Sequence, residues 1–434
     1  VTAVNSFLTA EEVAYIIDDC DARVVITSRA KADVAGDIDP DTTPKVERWL
    51  MVDEIASGGA IEWESYEAAT AGFPHTPIDD EHWGTAMLYS SGTTGRPKGI
   101  KRPLPDHPMD ELDPRTARFF TTRYRYGPDM VYLSPAPMYH AAPLTFSTAV
   151  LRVGGTLVMM ERFDPVGCLA HLERYQVTHS QFVPTMFVRM LKLDDTERLR
   201  RDLSSLAVVI HAAAPCPVPI KRQMIEWLGP IVVEYYAGTE GIGSTFISSE
   251  EWLEKPGSVG LPWPNAEIRI LDDRGEQVPT GEEGTVYMSL ALADFEYKGD
   301  RDKTESNRVD GFFTVGDWGY LDEDGYLFLK DRRSDLILSG GVNIYPAEIE
   351  AALMVVPGVA DAAVFGIPHE DWGQEIKAVV QPADDAVIGD DAAEEAQRGE
   401  IMAALGDSIA KFKHPRSIDF IAEMPRDPSG KLFK

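Results

Sequence analysis

A chain of 434 residues is too long for a single hydrophobic core, so two or more folding units are expected. Its formal net charge of −30, from 71 acidic and 41 basic residues, argues against non-specific nucleic-acid binding, which rests on clustered Lys and Arg. Hydrophobic and charged contents of 44% and 26% are ordinary for a globular protein, and no apolar run approaches a transmembrane segment.

The opening, Val1-Thr2-Ala3-Val4-Asn5, carries no basic or apolar leader, which points to the cytoplasm. The missing initiator Met and the abrupt end at Lys434 suggest part of a longer chain. Cys20, Cys168 and Cys216 are few, odd in number and far apart. They fit a reducing compartment, with no disulfide framework and no zinc spacing. Cys216, after His211-Ala212-Ala213-Ala214-Pro215, reads as a small buried thiol rather than a nucleophile.

In chain order, the first strand signal is the apolar run 23–27, and the next is 85–89. The latter leads into Ser90-Ser91-Gly92-Thr93-Thr94-Gly95-Arg96-Pro97-Lys98-Gly99, rich in hydroxyls and glycine and ending near a lysine. A Walker loop would need glycine before that lysine and a hydroxyl after it; Pro97 and Gly99 stand there instead. Pro97 also removes an N–H that a phosphate cradle would use. The segment is therefore a strand and a phosphate-gripping loop without the helix of a nucleotide switch.

Further strands are expected at 156–160, 206–210 and 231–235. Asp164 and Pro165 read as the cap and first residue of a helix whose Val166, Leu169 and Leu172 share a face. Alternating strands and helices imply layered, largely parallel α/β structure. From about residue 258 the pattern turns to antiparallel β, with hairpin turns at 272–275 and 322–325. A charged knot follows at 330–335, and a domain boundary is expected at 331–335. Beyond it, Pro346 opens a helix carrying Ile349 and Leu353, strands follow at 362–365 and 376–380, and an acidic helix spans about 391–410.

Six further segments keep a fixed order after the hydroxyl-rich loop: PMYH (137–140), HAAAP (211–215), YAGTEG (236–241), VGDWGYLDEDGYL (315–327), DRRSDLILSGGVNIYPAEIE (331–350) and PRDPSGK (425–431). Together they resemble the adenylate-forming superfamily, specifically the acyl-CoA synthetases, over nearly the whole chain. The resemblance implies an α/β fold: a large multi-subdomain N-terminal region (1–331, its first part absent relative to the family), a hinge at 332–335 and a small mobile α+β C-terminal domain at 336–434. It also implies an acid–thiol ligase that uses ATP, Mg²⁺ and CoA. A carboxylic acid is first adenylated with loss of pyrophosphate, and the CoA thiol then displaces AMP.

By that resemblance, Ser90, Ser91, Thr93, Thr94 and Lys98 offer hydroxyl and ammonium donors to pyrophosphate, while Gly92 and Gly95 let the backbone approach. Nucleotidyl transfer is catalysed mainly by such positioning and charge stabilisation. Glu240 matches the magnesium ligand, a hard oxygen donor. Thr239 is placed at the phosphates, Tyr236 at the adenine face, Asp317 at the ribose hydroxyls and Arg332 at the ribose and phosphate edge. His140 shields the acyl pocket and then yields to pantetheine, whose tunnel Gly340 and Gly341 line, with Asn343 near phosphate. Ala141, Ala142, Ala212, Ala213 and Ala237 leave room around the acyl site. Lys431 is the residue expected to neutralise carboxylate and α-phosphate in the first step.

Ser334 departs from the Asp or Lys usual at the family's hinge. A medium- or long-chain fatty acid leads the substrate order, ahead of steroid- or terpene-like and aryl acids. The alternatives are an adenylating enzyme with a non-CoA acceptor (a carrier protein, or oxygenase chemistry) and a non-catalytic nucleotide- or acyl-binding regulator.

Overall fold

In a computed structural model, the structure describes residues 1–53, 55, 59–90, 97–105, 119–290, 294–332, 335–339, 342–426 and 432, with only the backbone for Arg332 and Asp407. The chain divides into two compact units. One holds Val1–Phe120, Met138–Leu144 and Asp294–Ser306; the other holds Thr121–Pro137, Thr145–Ala293 and Asn307–Lys434.

In the first unit, Val24–Ser28, Arg48–Val52 and Glu64–Ser65 form a three-stranded parallel sheet. The helix Ala10–Asp19 starts at a capping box, in which the Thr9 hydroxyl and the Glu12 carboxylate each accept the other's backbone N–H. Its Ala14 and Ile17 pack with Ile38, Met51 and Trp63 into a small core. A second sheet pairs Leu88–Ser90 with Lys98–Lys101 in antiparallel register and adds Glu296–Tyr297 on the far side. Only the last part of the 85–89 run is strand, and Lys98 itself begins the next strand rather than a helix.

The second unit is built on a five-stranded parallel sheet. Its order is Val232–Glu234, Val208–His211, His179–Phe182, Val131–Ser134 and Thr156–Met159. The helices Pro165–Arg174, Pro184–Leu191 and Val218–Leu228 connect its strands and bury Leu169, Leu172, Phe187 and Met224 in one core. Asp164 caps as expected, its carboxylate accepting the Gly167 N–H at 2.6 Å.

One of these strands escapes a search for apolar runs. His179–Phe182 reads His-Ser-Gln-Phe, yet all four residues are buried. Each polar group finds a partner. The Ser180 hydroxyl donates to the Leu133 carbonyl at 2.8 Å, and the Gln181 amide donates to the Tyr235 hydroxyl at 2.8 Å. His179 Nε2 lies 2.8 Å from the Tyr124 carbonyl. Paired in this way, polar residues can occupy a central strand.

Burial lowers the His179 pKa from 6.5 to about 4. The unfolded chain then binds the extra proton between these values, so stability falls as pH drops from about 6.5 toward 4. The expected loss at pH 5 is about 2 kcal/mol relative to pH 7. Urea unfolding of the wild type and of His179→Gln at both pH values checks this, and the variant should lose less.

After the parallel sheet the chain turns antiparallel. Asp317–Leu321 pairs with Leu327–Arg332 on one side and with Gly284–Leu290 on the other, and Ala266–Leu271 also pairs with Gly284–Leu290. Both expected turns form, with Gly275 and Gly325 at φ of 78° and 83°, a region glycine enters without a Cβ penalty. The last part of the chain is α+β. Ile337–Ser339 pairs with Val342–Ile344, the helix Pro346–Met354 follows, and the hairpin Val359–His369/Gly373–Pro382 carries Ser417–Phe420 parallel to its second strand. The acidic helix runs Asp391–Ser408. The architecture is thus mixed α/β with a large N-terminal region and a small C-terminal domain.

Candidate active site

Within the first unit, strand register sets the phosphate-loop residues. Ser90 and Lys98 are the cross-strand partners next to the connecting loop, and Ser91 to Gly95 lie outside the described residues. The hairpin is anchored from behind. Tyr89 donates its hydroxyl to Asp19 at 2.5 Å, and Tyr15 donates to the Pro97 carbonyl at 3.1 Å. A Cβ on Gly99 would meet the Tyr89 ring at 3.1 Å, so a side chain there would push that ring away. Lys98 forms an ion pair with Asp300, and this lysine, first among the causes, holds the Asp300 carboxyl below the ordinary range. Asp300 also caps the helix Arg301–Ser306 by accepting the Lys303 N–H at 3.1 Å. Asp300 carried no signal in the sequence, because its partner lies far off along the chain. His140 directly precedes the helix Ala141–Arg152, its ring 4.4 Å from that of Tyr139.

Within the second unit, three residues of the expected nucleotide set come together. Tyr236 donates its hydroxyl to Asp317 at 2.5 Å. Asp317 begins its strand opposite Arg332, so the acid and the arginine are backbone register partners. The turn after Tyr236 closes with the Gly241 N–H on the Gly238 carbonyl at 3.1 Å. Glu240 is buried there, and a Cβ on Gly238 would lie 2.9 Å from its Oε2 and 3.1 Å from Val315. Only glycine lets the carboxylate sit so close to the chain. Thr239 is half-buried beside it.

Ala213 follows the buried end of the Val208–His211 strand with φ of 76°, a left-handed conformation that costs an alanine about 1 kcal/mol. Its side chain is exposed. Asn343 is exposed on Val342–Ile344, opposite Leu338. Gly340, Gly341, Ser334 and Lys431 lie outside the described residues. The Cys216 thiol is pushed well above its ordinary pKa by burial, which suits a packing role.

The AMP-binding enzyme family profile matches residues 1–291, and the AMP-binding enzyme C-terminal domain profile matches 348–431. The chain belongs to the AMP-binding enzymes. It is 32% identical to a long-chain-fatty-acid–CoA ligase of Mycobacterium tuberculosis, over 99% of this chain and 81% of that protein. A fatty acid–[acyl-carrier-protein] ligase of Streptomyces coeruleorubidus is 30% identical over 99% of this chain and 80% of its own length. Among solved structures, ATP-bound MatB from Rhodopseudomonas palustris superposes with a TM-score of 0.77 at 29% identity, covering 99% and 81% of the two chains. This AMP-binding enzyme is an acid–CoA ligase by family.

AMP-binding enzymes imply a magnesium ion, and Glu240 fits one. No group of three or more His, Cys, Asp or Glu side chains suited to a metal occurs among the described residues. One carboxylate with phosphate and water oxygens completing the shell is the usual way such a cation is held. No helix among the described residues is long and apolar enough to cross a membrane.

Proposed function

We propose that this enzyme activates a bulky apolar carboxylate, foremost a medium- or long-chain fatty acid, as its acyl-adenylate and transfers the acyl group to CoA. The observation that carries the reading is the Tyr236–Asp317 hydrogen bond at 2.5 Å, with Arg332 opposite Asp317 in register. A phenol hydrogen-bonded to a carboxylate, with an arginine as the carboxylate's register partner, suits an aromatic base, a ribose diol and a phosphate edge. In this assignment Ser90 and Lys98 bind pyrophosphate with Ser91 to Gly95, Thr239 orients the phosphates, and Glu240 holds Mg²⁺. When bound, that ion would neutralise phosphate charge. Lys431 draws the carboxylate to the α-phosphate. His140 guards the acyl side, while Gly340, Gly341 and Asn343 receive the pantetheine arm. The domain boundary falls at 332–335, where Ser334 serves as pivot, and the enzyme works in the cytoplasm.

The fatty-acid preference draws on the relative's name and on the small Ala212, Ala213 and Ala237. Apolar pockets discriminate by about 1–3 kcal/mol per methylene, so neighbouring chain lengths should overlap. CoA-dependent AMP release across a panel of fatty, terpenoid and aryl acids tests the reading. The highest kcat/KM should fall on fatty acids of medium or long chain, and a maximum on an aryl acid would overturn the assignment. The similarity to an acyl-carrier-protein ligase favours one second reading, in which a carrier thiol accepts the acyl group. Acyl transfer to carrier protein but not to CoA would establish it.

A further inference from the structure

Beneath the nucleotide tyrosine lies a group of charges that the chemistry above does not use. Glu234 ends the Val232–Glu234 strand and is the register partner of His211, which ends Val208–His211. Lys221 enters from the helix Val218–Leu228 and donates to Glu234 Oε2 at 2.5 Å. His211 Nε2 lies 3.4 Å from the same oxygen, and the Trp252 ring centroid lies 4.8 Å from the Lys221 ammonium. All four side chains are buried.

Burying two ions costs more than packing apolar groups of the same volume, and apolar replacement of such a pair is often neutral or stabilising. What an ion pair adds is direction. The location gives that direction a use, because parallel α/β sheets bind ligands at the carboxyl ends of their strands. Here two adjacent strands end on one carboxylate. Just beyond, the Tyr235 N–H donates to the His211 carbonyl at 3.3 Å, and Glu234 exchanges backbone hydrogen bonds with Ile247 at 2.9 and 3.1 Å. The next residue is Tyr236, already paired with Asp317.

We propose that the buried Lys221–Glu234 pair, with His211 against it, is a positioning device that fixes where the Val232–Glu234 strand ends and so aims Tyr236 at the nucleotide. The proposal rests on the acyl-adenylate reading, and Lys221, Glu234 and His211 act through Tyr236 rather than on substrate. Burial drives His211 well below its ordinary pKa, with the Lys221 charge adding to the effect. Of the two basic groups beside the carboxylate, Lys221 at 2.5 Å is thus the charged partner and His211 at 3.4 Å the packing one. Burial also raises Glu234 and lowers Lys221, each opposed by its partner, while the Cys216 thiol nearby stays protonated.

The test replaces the pair in two ways in the full chain. Lys221→Met with Glu234→Leu keeps volume but removes direction, whereas Lys221→Gln with Glu234→Gln keeps an N–H donor and a carbonyl acceptor. ATP affinity by calorimetry, KM for ATP and for the acid in pyrophosphate exchange, and thermal midpoints are measured for both. The apolar variant should melt no lower than wild type, yet lose at least tenfold in ATP affinity and raise the ATP KM to match, with the acid KM unchanged. The glutamine pair should recover most of that loss. ATP affinity within twofold of wild type in the apolar variant would overturn the proposal, as would losses that follow the thermal midpoint in both variants. Should the apolar variant not fold, Glu234→Gln alone is judged by the same ATP-to-acid comparison. Absence of acid-dependent exchange in the wild type would refute the enzymatic reading, and calorimetry with ATP would still decide the role of the pair.

Discussion

Lys431→Ala is expected to lower acid-dependent pyrophosphate exchange by about 10²–10³-fold while thioester formation from supplied acyl-adenylate stays near the wild-type rate. The magnitude is that of removing one preorganised charge from a transition state. The selectivity comes from the proposed role, since the ammonium offsets the repulsion between carboxylate and α-phosphate, and the carboxylate charge is gone once the adenylate exists. Single-turnover measurements of the two half-reactions check this. A parallel loss in both would place Lys431 in folding or in general nucleotide binding instead.

Asp317→Asn should give the opposite pattern. AMP is present in both half-reactions, so a residue that holds its ribose should weaken both. Replacing the carboxylate by an amide removes charge-assisted acceptors worth about 1.5–3 kcal/mol, hence roughly 10- to 100-fold in kcat/KM for ATP. Adenylate consumption should fall by a similar factor. The Tyr236 hydroxyl can still donate to the amide oxygen, so the fold should persist, and the thermal midpoint provides the control. Loss confined to the first step would contradict the ribose assignment. The two variants together separate a group that serves one step from a group that serves the nucleotide throughout.

Much of this protein was legible in one dimension, and the legible parts share a cause. Asp164-Pro165 began a helix because a cap and a fixed φ act within one turn. Pro346 did the same in the C-terminal part. Gly275 and Gly325 marked turns because positive φ is a property of the residue itself. The fixed order of motifs pointed to the family, and the family profiles bear that out. Strand limits came within a residue or two at Val208–His211 and Thr156–Met159, whereas the 85–89 run is strand only from Leu88 and the 362–365 run lies inside the longer Val359–His369.

What sequence alone did not determine depends on partners far along the chain. His179–Phe182 is polar by composition, and only Leu133, Tyr124 and Tyr235 make its burial affordable. Asp300 gained its role from Lys98, 202 positions away, and Tyr236 met Asp317 across 81. Lys221 and Glu234 carried no signal of a pairing in the sequence, and only helix and sheet packing buried both and made each the other's partner. Local rules of capping, turns and periodicity are written into neighbouring residues. The pairing of charges and polar groups is decided only when the sheet closes and water leaves, because only then does an unpaired group become costly.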